Sequence, residues 1–386
     1  MLVCPVCGVA YGTGFTICAW DAARLVEEDE DTLVAHLIDH YLIESRIGEG
    51  TTGRIYRARD IYSHRDVALK ILYGEYTADA GFLEFFQKRV ELTSKIRHAN
   101  VVAVRSFDVS PEGQAFAVME HLAGTTLAQA PQMTSSSEAR TIEIVRQMAL
   151  GLDALHSADL VHGDLKPSSV MLVPESETER VVLIDVAIST TGGARAQSPR
   201  VARSSRRSGA PLYMSPEQIC EGRSDAKSDL YALGAILYEL LTGSPPFLGD
   251  VEQILHQHIF TPAPALEAHG PLGALAADLL QKSPMHRPES ARIVVERLDQ
   301  IAHDGGREDD ARRGQKRRAG LLATVIAGSV IALGVHVFHR WTEGSGLEAR
   351  AAVPKLSVEQ GTDDAHLGVT DDRADRSPRG GRSADD

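Results

Sequence analysis

The chain has 386 residues, 43% of them hydrophobic and 24% charged, with 40 Lys and Arg against 53 Asp and Glu for a formal charge of −13. At ~100–200 residues per domain this leaves room for two units and a sizeable core, and excludes a wholly disordered chain. The acidic balance excludes a protein whose main task is coating nucleic acid, and four cysteines are too few for a disulfide framework.

The opening Met1-Leu2-Val3-Cys4-Pro5 lacks a charged start followed by an apolar run, so no secretion signal is expected. Cys4-Pro5-Val6-Cys7 and Cys18-Ala19-Trp20-Asp21 follow a two, ten, two spacing. Paired ligands on tight turns let four donors converge on Zn²⁺ at ~2.0–2.3 Å, Asp21 binding less tightly than a thiolate. The spacing reads as a small zinc ribbon over 1–24, ligated by Cys4, Cys7, Cys18 and Asp21. The alternative is a frayed terminus with three idle thiols. A polar, acidic linker over 25–40 follows.

From Tyr41 to Leu298 the pattern is continuous and globular. Short β-like runs come first, such as Val67-Ala68-Leu69-Lys70-Ile71-Leu72 and Ala115-Phe116-Ala117-Val118-Met119. Helical periodicity comes later, as in Leu230 to Leu241. Strands before helices predict an α+β domain in two lobes. Ile47-Gly48-Glu49-Gly50-Thr51-Thr52-Gly53-Arg54-Ile55 holds a G-x-G-x-x-G, which alone also opens dinucleotide folds. A dinucleotide fold would continue into a helix, whereas Ile55-Tyr56-Arg57-Ala58-Arg59 is β-like. Lys70 then arrives 17 residues after Gly53, on a strand.

With this hairpin and strand lysine the chain resembles the protein kinase family over the whole of 41–298. Val118-Met119-Glu120-His121-Leu122 resembles the hinge between lobes, and His162-Gly163-Asp164-Leu165-Lys166-Pro167 the catalytic loop of the serine/threonine branch. Val182-Leu183-Ile184-Asp185 resembles the strand that ends in the magnesium-binding aspartate. Ser215-Pro216-Glu217, Ser228-Asp229 and His286-Arg287-Pro288 match later motifs, with Arg287 expected to pair with Glu217. The resemblance implies ATP and Mg²⁺ (or Mn²⁺) as cofactors. Gly48, Gly50, Gly53 and Lys70 would hold phosphates, and the backbone of Glu120 and Leu122 the adenine. Asp185, with Ser169 as a weak second ligand, would hold the metal. Asp164 would accept the substrate proton, and Lys166 would neutralise charge on the moving phosphoryl group.

Five departures from the family pattern stand out, one of them a pair of adjacent residues. Arg89 stands nine residues before His98, where a helix glutamate usually pairs with the strand lysine; it is expected to repel Lys70 unless the helix swings out. Glu91, about 200° further round the helix, faces away. Gly163 replaces an arginine that usually receives an activation-loop phosphate, and Ser169 replaces a metal-binding asparagine. Val186-Ala187 follow Asp185 in place of Phe-Gly, and Ala210 replaces a threonine that usually bonds the catalytic aspartate. Between Asp185 and Glu217 lie Arg195, Arg200, Arg203, Arg206 and Arg207 with Ser204, Ser205 and Ser208. They read either as a solvated basic loop or as a site ordered by phosphate or an acidic partner.

A basic, polar linker over 299–318 precedes Ala319 to Phe338, 20 residues without a charge. At 1.5 Å per residue this stretch spans ~30 Å, the thickness of a bilayer core. A membrane helix over 319–339 is expected, a buried core helix being the alternative. Arg312, Arg313, Lys316, Arg317 and Arg318 on its N-terminal side place the large domain in the cytoplasm at the inner membrane. Residues 340–386 form a polar tail expected to be disordered and outside. Two functions remain open: a membrane-anchored serine/threonine kinase of reduced activity, and a pseudokinase scaffold that binds nucleotide or partners. The expected partners are protein substrates or signalling proteins and the membrane, not nucleic acid, with a homodimer left open.

Overall fold

The computed structural model of the chain describes residues 2–3, 10–11, 15–18, 24–27, 33–50, 52–130, 137–176, 178–186 and 210–344. Cys4, Cys7, Asp21, Thr51, Ala187, the arginines and serines between Arg195 and Ser208, and the tail after Gly344 lie outside them. Two compact units divide at Arg313, the first covering Met1–Arg313 and the second Gly314–Asp386.

Near the start, short strands β1 (Leu2–Val3), β2 (Ala10–Tyr11) and β3 (Val26–Glu27) form an antiparallel sheet in the order β2-β1-β3. The stretch expected as a linker over 25–40 therefore carries β3 and also β4 (Leu37–Ile38). This last strand pairs Ile38 with Tyr41 and extends the main sheet.

That sheet continues through β5 (Tyr41–Glu49), β6 (Gly53–Asp60), β7 (Asp66–Leu72), β8 (Val104–Val109) and β9 (Ala115–Glu120), in the order β4-β5-β6-β7-β9-β8. Period-2 alternation sorts its residues onto two faces. Tyr41, Ile43, Tyr56, Val67, Leu69, Ile71, Phe116 and Val118 pack on one face. Ala68, Leu72, Ala117 and Met119 join Phe86 and Val104 on the other. Lys70 shares the parity of Ala68 and Leu72, so the strand register alone turns its side chain to the inner face. Between β7 and β8 run α1 (Gly74–Thr77) and α2 (Ala80–Thr93); the Asp79 side chain caps α2 by accepting from the Gly81 and Phe82 amides.

The second lobe opens with β10 (Thr125–Thr126) and α3 (Glu138–His156), and β11 (Val170–Glu175) and β12 (Thr178–Leu183) complete a small sheet with β10. Helices α4 (Pro216–Glu221), α5 (Ala226–Thr242), α6 (Val251–Phe260) and α7 (Gly270–Leu279) follow. Apolar residues surround α5 on all sides, and Leu230, Leu233, Ile236 and Leu237 are fully enclosed, as a central core helix requires. Asp225 caps its N-terminus and Gly243, at φ +79°, ends it in the left-handed region.

The last helix, α8, runs Ala291–Gly344. Residues 299–318, expected as a linker, are helical, consistent with their content of Arg, Glu, Ala, Lys and Gln. Among the described residues no helix is long and apolar enough to cross a membrane. In its second half Val330, Ile331, Leu333, Val335, Val337 and Phe338 are exposed.

Candidate functional site

The turn between β5 and β6 lies over β7. The Gly50 amide donates to the Gly53 carbonyl at 2.9 Å. A Cβ on Gly53 would lie 2.1 Å from the Ile71 carbonyl oxygen, so the strands approach too closely for any side chain there. A Cβ on Gly50 would stand 3.4 Å from Lys70 Nζ, which places bare loop backbone directly against the ammonium. The loop is fastened at its edge through Glu49. This carboxylate accepts from the Tyr73 hydroxyl and lies 3.6 Å from Arg46 and 3.8 Å from Arg54.

Lys70 is 2% exposed, and its Nζ lies 3.4 Å from Asp185 Oδ1. Burial pulls the Lys70 ammonium below its ordinary value, with Asp185 opposing. Burial would raise Asp185, but Lys70, Lys166 and His162 around it hold its carboxyl below the usual range. The pair is a close contact between opposite charges, with Lys166 and His162 adding to the positive field on Asp185. Asp185 sits at φ +64°, a conformation costing a non-glycine residue about 1–3 kcal/mol unless its surroundings impose it. On the N-terminal side they do so through both backbone groups of Ile184. The Ile184 amide donates to the Ser169 carbonyl at 3.0 Å, and the Ile184 carbonyl lies 3.0 Å from His162 Nε2. Burial lowers the His162 pKa, which suits a neutral ring donating from Nε2.

The catalytic-loop segment hangs from α5. The Asp229 carboxylate, 1% exposed, accepts from the His162 amide at 2.8 Å and the Gly163 amide at 2.7 Å, and lies 2.8 Å from His156 Nε2. Gly163 adopts φ +75°, which a glycine enters without the steric cost a side chain would meet. Gln218 of α4 donates to the Gly163 carbonyl at 2.8 Å. Lys166 Nζ donates to Asp164 Oδ2 at 2.7 Å, leaving Oδ1 as the other acceptor of a carboxylate that is 35% exposed. Beneath them Arg287 meets Glu217 through two parallel bonds of 2.7 and 2.9 Å and lies over the Tyr231 ring at 4.8 Å. Glu217 is held below its ordinary pKa by Arg287 and Ser228, against burial.

Two expected roles look different in three dimensions. Ser169 is fully buried: its hydroxyl bonds the Asp164 and Lys166 carbonyls at 3.3 and 2.8 Å and accepts from the Lys166 amide at 2.9 Å. A hydroxyl has one hydrogen and two lone pairs, so these bonds make the residue a brace of the loop more than a cation ligand. Arg89 and Lys70 bond to different groups, Lys70 to Asp185 and Arg89 to backbone. The Arg89 guanidinium is turned onto the Val161 and Val186 carbonyls at 2.9 and 2.8 Å, with Glu91 on the exposed face. Val186, smaller than the usual phenylalanine, is nonetheless fully enclosed in the core.

Glu120 is fixed to Ala103 twice, its amide donating at 2.9 Å and its carboxylate accepting at 2.8 Å, while Leu122 packs on the core. This holds the hinge strand end in place. Sequence reasoning did not single out Gln218 or His162 as supports; their bonds join segments far apart in the chain and leave no local pattern. At the N-terminus Cys18 is buried, and among the described residues no group of His, Cys, Asp or Glu is placed to hold a metal ion.

The donor set in the cleft suits a polyphosphate with a hard cation. Carboxylate oxygens of Asp185 and Asp164 match what Mg²⁺ takes, and the bare Gly50 turn beside Lys70 matches a phosphate. A family model described as the protein kinase domain matches residues 41–298. The chain is 32% identical over 306 residues to the serine/threonine-protein kinase pkn3 of Myxococcus xanthus, covering 76% of this chain and 56% of that protein. It is likewise 32% identical over 290 residues to the serine/threonine-protein kinase PknB of Mycobacterium leprae, covering 72% and 45%. The chain thus spans about half the length of these curated relatives. A crystal structure of a double mutant of the Mycobacterium tuberculosis PknI kinase domain, 22% identical, covers 69% of this chain and 97% of that one at a TM-score of 0.52. That likeness is one of fold: a β-rich lobe on a helical lobe.

Proposed function

The chain belongs to the protein kinase family, and from that premise we propose that it transfers the γ-phosphoryl group of ATP to serine and threonine hydroxyls of proteins. The observation that carries this reading is the convergence in one cleft of two ammonium–carboxylate contacts, Lys70 with Asp185 and Lys166 with Asp164. When bound, Mg²⁺ or Mn²⁺ would screen charge on the phosphates, with Asp185 as its protein ligand. Lys70 would exchange its contact with Asp185 for the phosphates, under the Gly50 turn. Asp164 would orient the substrate hydroxyl and take its proton on Oδ1, since Lys166 occupies Oδ2. Lys166, held beside the reacting groups by Asp164, would then face the developing charge on the transferred group.

The second reading, a scaffold that holds nucleotide without efficient transfer, is favoured by the engagement of Ser169 with loop backbone. Labelled phosphate transfer separates the two. The kinase reading expects transfer by the full chain with Mg²⁺ or Mn²⁺ and a loss of ~100-fold or more in Asp164→Asn. Equal, background labelling by both proteins would end it, while stabilisation by ATP would survive in a scaffold.

The same proposal places the enzyme at the inner membrane, its kinase domain on the cytoplasmic side and its substrates or signalling partners there. Twenty uncharged residues over 319–338, basic residues before them and the exposed apolar side chains from Val330 to Phe338 support this. A reporter fused after residue 345 should read outside; a cytoplasmic signal overturns the orientation. A structural Zn²⁺ on Cys4, Cys7, Cys18 and Asp21 rests on their spacing, and stoichiometric zinc that is lost in Cys4→Ser would support it.

A further inference from the structure

Helix α2 brings one charged side chain into the interior, and it has the sign opposite to the one expected there. Arg89 is 7% exposed, although a long arginine at a helix surface ordinarily extends its head into water. Solvent was within reach: Lys88 and Glu91, on either side of it, are exposed. Its guanidinium instead lies inside the lobe boundary, 5.9 Å from the centre of the Phe85 ring. Nη2 donates to the Val161 carbonyl at 2.9 Å and to the Val186 carbonyl at 2.8 Å, and Nε has no partner. Burial drags its pKa down, yet a guanidinium stays protonated at any ordinary pH. Its bonded partners are neutral oxygens and the Asp229 carboxylate acts on it only from beyond hydrogen-bond distance, so its burial is poorly compensated and the arrangement persists because the fold gains something else from it.

The two carbonyls identify the gain. Val161 immediately precedes His162-Gly163-Asp164, and Val186 immediately follows Asp185. One nitrogen therefore ties α2 to both carboxylate-bearing segments at once. Asp185 has a left-handed backbone that must be imposed from outside. Its preceding residue is held by Ser169 and His162, and its following residue by Arg89.

We infer that Arg89 is a positioning residue: it fastens α2 to the catalytic loop and to the segment after Asp185 through their backbone carbonyls, and so fixes the Asp185 carboxylate. The clamp stands on geometry alone; its consequence for nucleotide binding rests on the kinase reading above. Lysine keeps the charge but loses the planar fork. Methionine keeps the bulk and loses both bonds. Glutamate cannot donate to either carbonyl and sets a negative group against two acceptor oxygens. Were position 89 merely a decayed partner of Lys70, glutamate would repair it.

The test compares the full-length chain with Arg89→Met, Arg89→Lys and Arg89→Glu by hydrogen exchange. Amides of residues 158–166 and 181–186 should exchange at least ~10-fold faster in Arg89→Met, with Arg89→Lys between it and the parent and Arg89→Glu no better than methionine. Exchange within α5 should not change. A second arm titrates Mg²⁺ against thermal stabilisation by ATP. The midpoint should rise at least ~10-fold in Arg89→Met while stabilisation by metal-free ATP moves less than about twofold, a split that general loosening would not produce. Unchanged exchange in both segments, or slower exchange and a lower Mg²⁺ midpoint in Arg89→Glu, overturns the inference. If ATP fails to stabilise the parent chain even at millimolar concentration, the nucleotide reading falls, and the exchange arm still decides the clamp. Should the methionine chain not fold, the lysine variant carries the same comparison.

Discussion

Two buried arginines brace this protein, and they are answered in different ways. Arg287, in the helical lobe, is fully enclosed and meets Glu217 in a two-bond fork; it bonds further to the Lys227, Gln281 and Lys282 carbonyls and lies over Tyr231. Arg89, at the lobe boundary, has two carbonyls and no carboxylate in contact. A cation paired with a carboxylate inside a protein is held by a large local force, and losing one member strands the other. A cation bonded only to dipoles, with the Asp229 carboxylate acting from beyond contact, is held less tightly, and its bonded partners remain ordinary peptide carbonyls when it leaves. The first arrangement suits a platform that never moves. The second suits a contact between an element of one lobe and segments of the other, where the proposed nucleotide and metal would enter.

The strongest way to break the comparison is to remove the cation from each site. Arg287→Met leaves Glu217 buried without its partner and should cost about 3–5 kcal/mol in denaturant unfolding. Arg89→Met removes two charge-assisted bonds but also relieves a buried charge, so about 1–3 kcal/mol is expected. Comparable losses would mean that carbonyls serve a buried guanidinium as well as a carboxylate does. Gly53→Ala probes the other side of the Lys70 site. Its Cβ would press on the Ile71 carbonyl, forcing the β6–β7 pair apart for about 1–3 kcal/mol and weakening ATP-induced stabilisation.

A smaller effect separates the platform's own parts by pH. His258 on α6 is fully buried beside Tyr231, its Nδ1 2.9 Å from the hydroxyl, and burial with Lys282 nearby pulls its pKa down to about 3. The unfolded chain, with an ordinary His value near 6.5, binds the extra proton between these limits. Stability is therefore complete above pH ~6.5 and is lost as pH falls towards 3, by about 2 kcal/mol at pH 5. His258→Gln should flatten that part of the stability profile; an unaltered profile between pH 7 and 5 would place the acid sensitivity elsewhere. Glu217, whose folded pKa is depressed, adds its loss only at lower pH.

Much of the site was legible because its chemistry is carried by short motifs. Lys70 stood on a strand run at a fixed distance from the glycines, the glycine spacing marked the turn above it, and Asp185 closed an apolar strand run. The Glu217–Arg287 pair, expected from family resemblance, is present in full. The linker over 25–40 was harder to read because a two-residue strand such as β4 carries too little periodicity to detect. The helix through 299–318 went unread for another reason: charged residues are good helix formers and equally common in linkers.

The residues that misled are the ones whose partners are backbone. Arg89 suggested repulsion because charge is visible in a sequence and a carbonyl is not. Ser169 read only as a weak metal ligand because its place in the motif is visible, while the loop bonds it also makes are not. Composition, periodicity and motif order determined the two lobes and the identity of the ionised groups that meet between them, since each depends on residue type at a near-fixed spacing. Tertiary structure alone decided what Arg89, Ser169, Gln218 and His162 hold, because every peptide offers the same carbonyl and amide, and only the packed chain selects which of them a side chain meets.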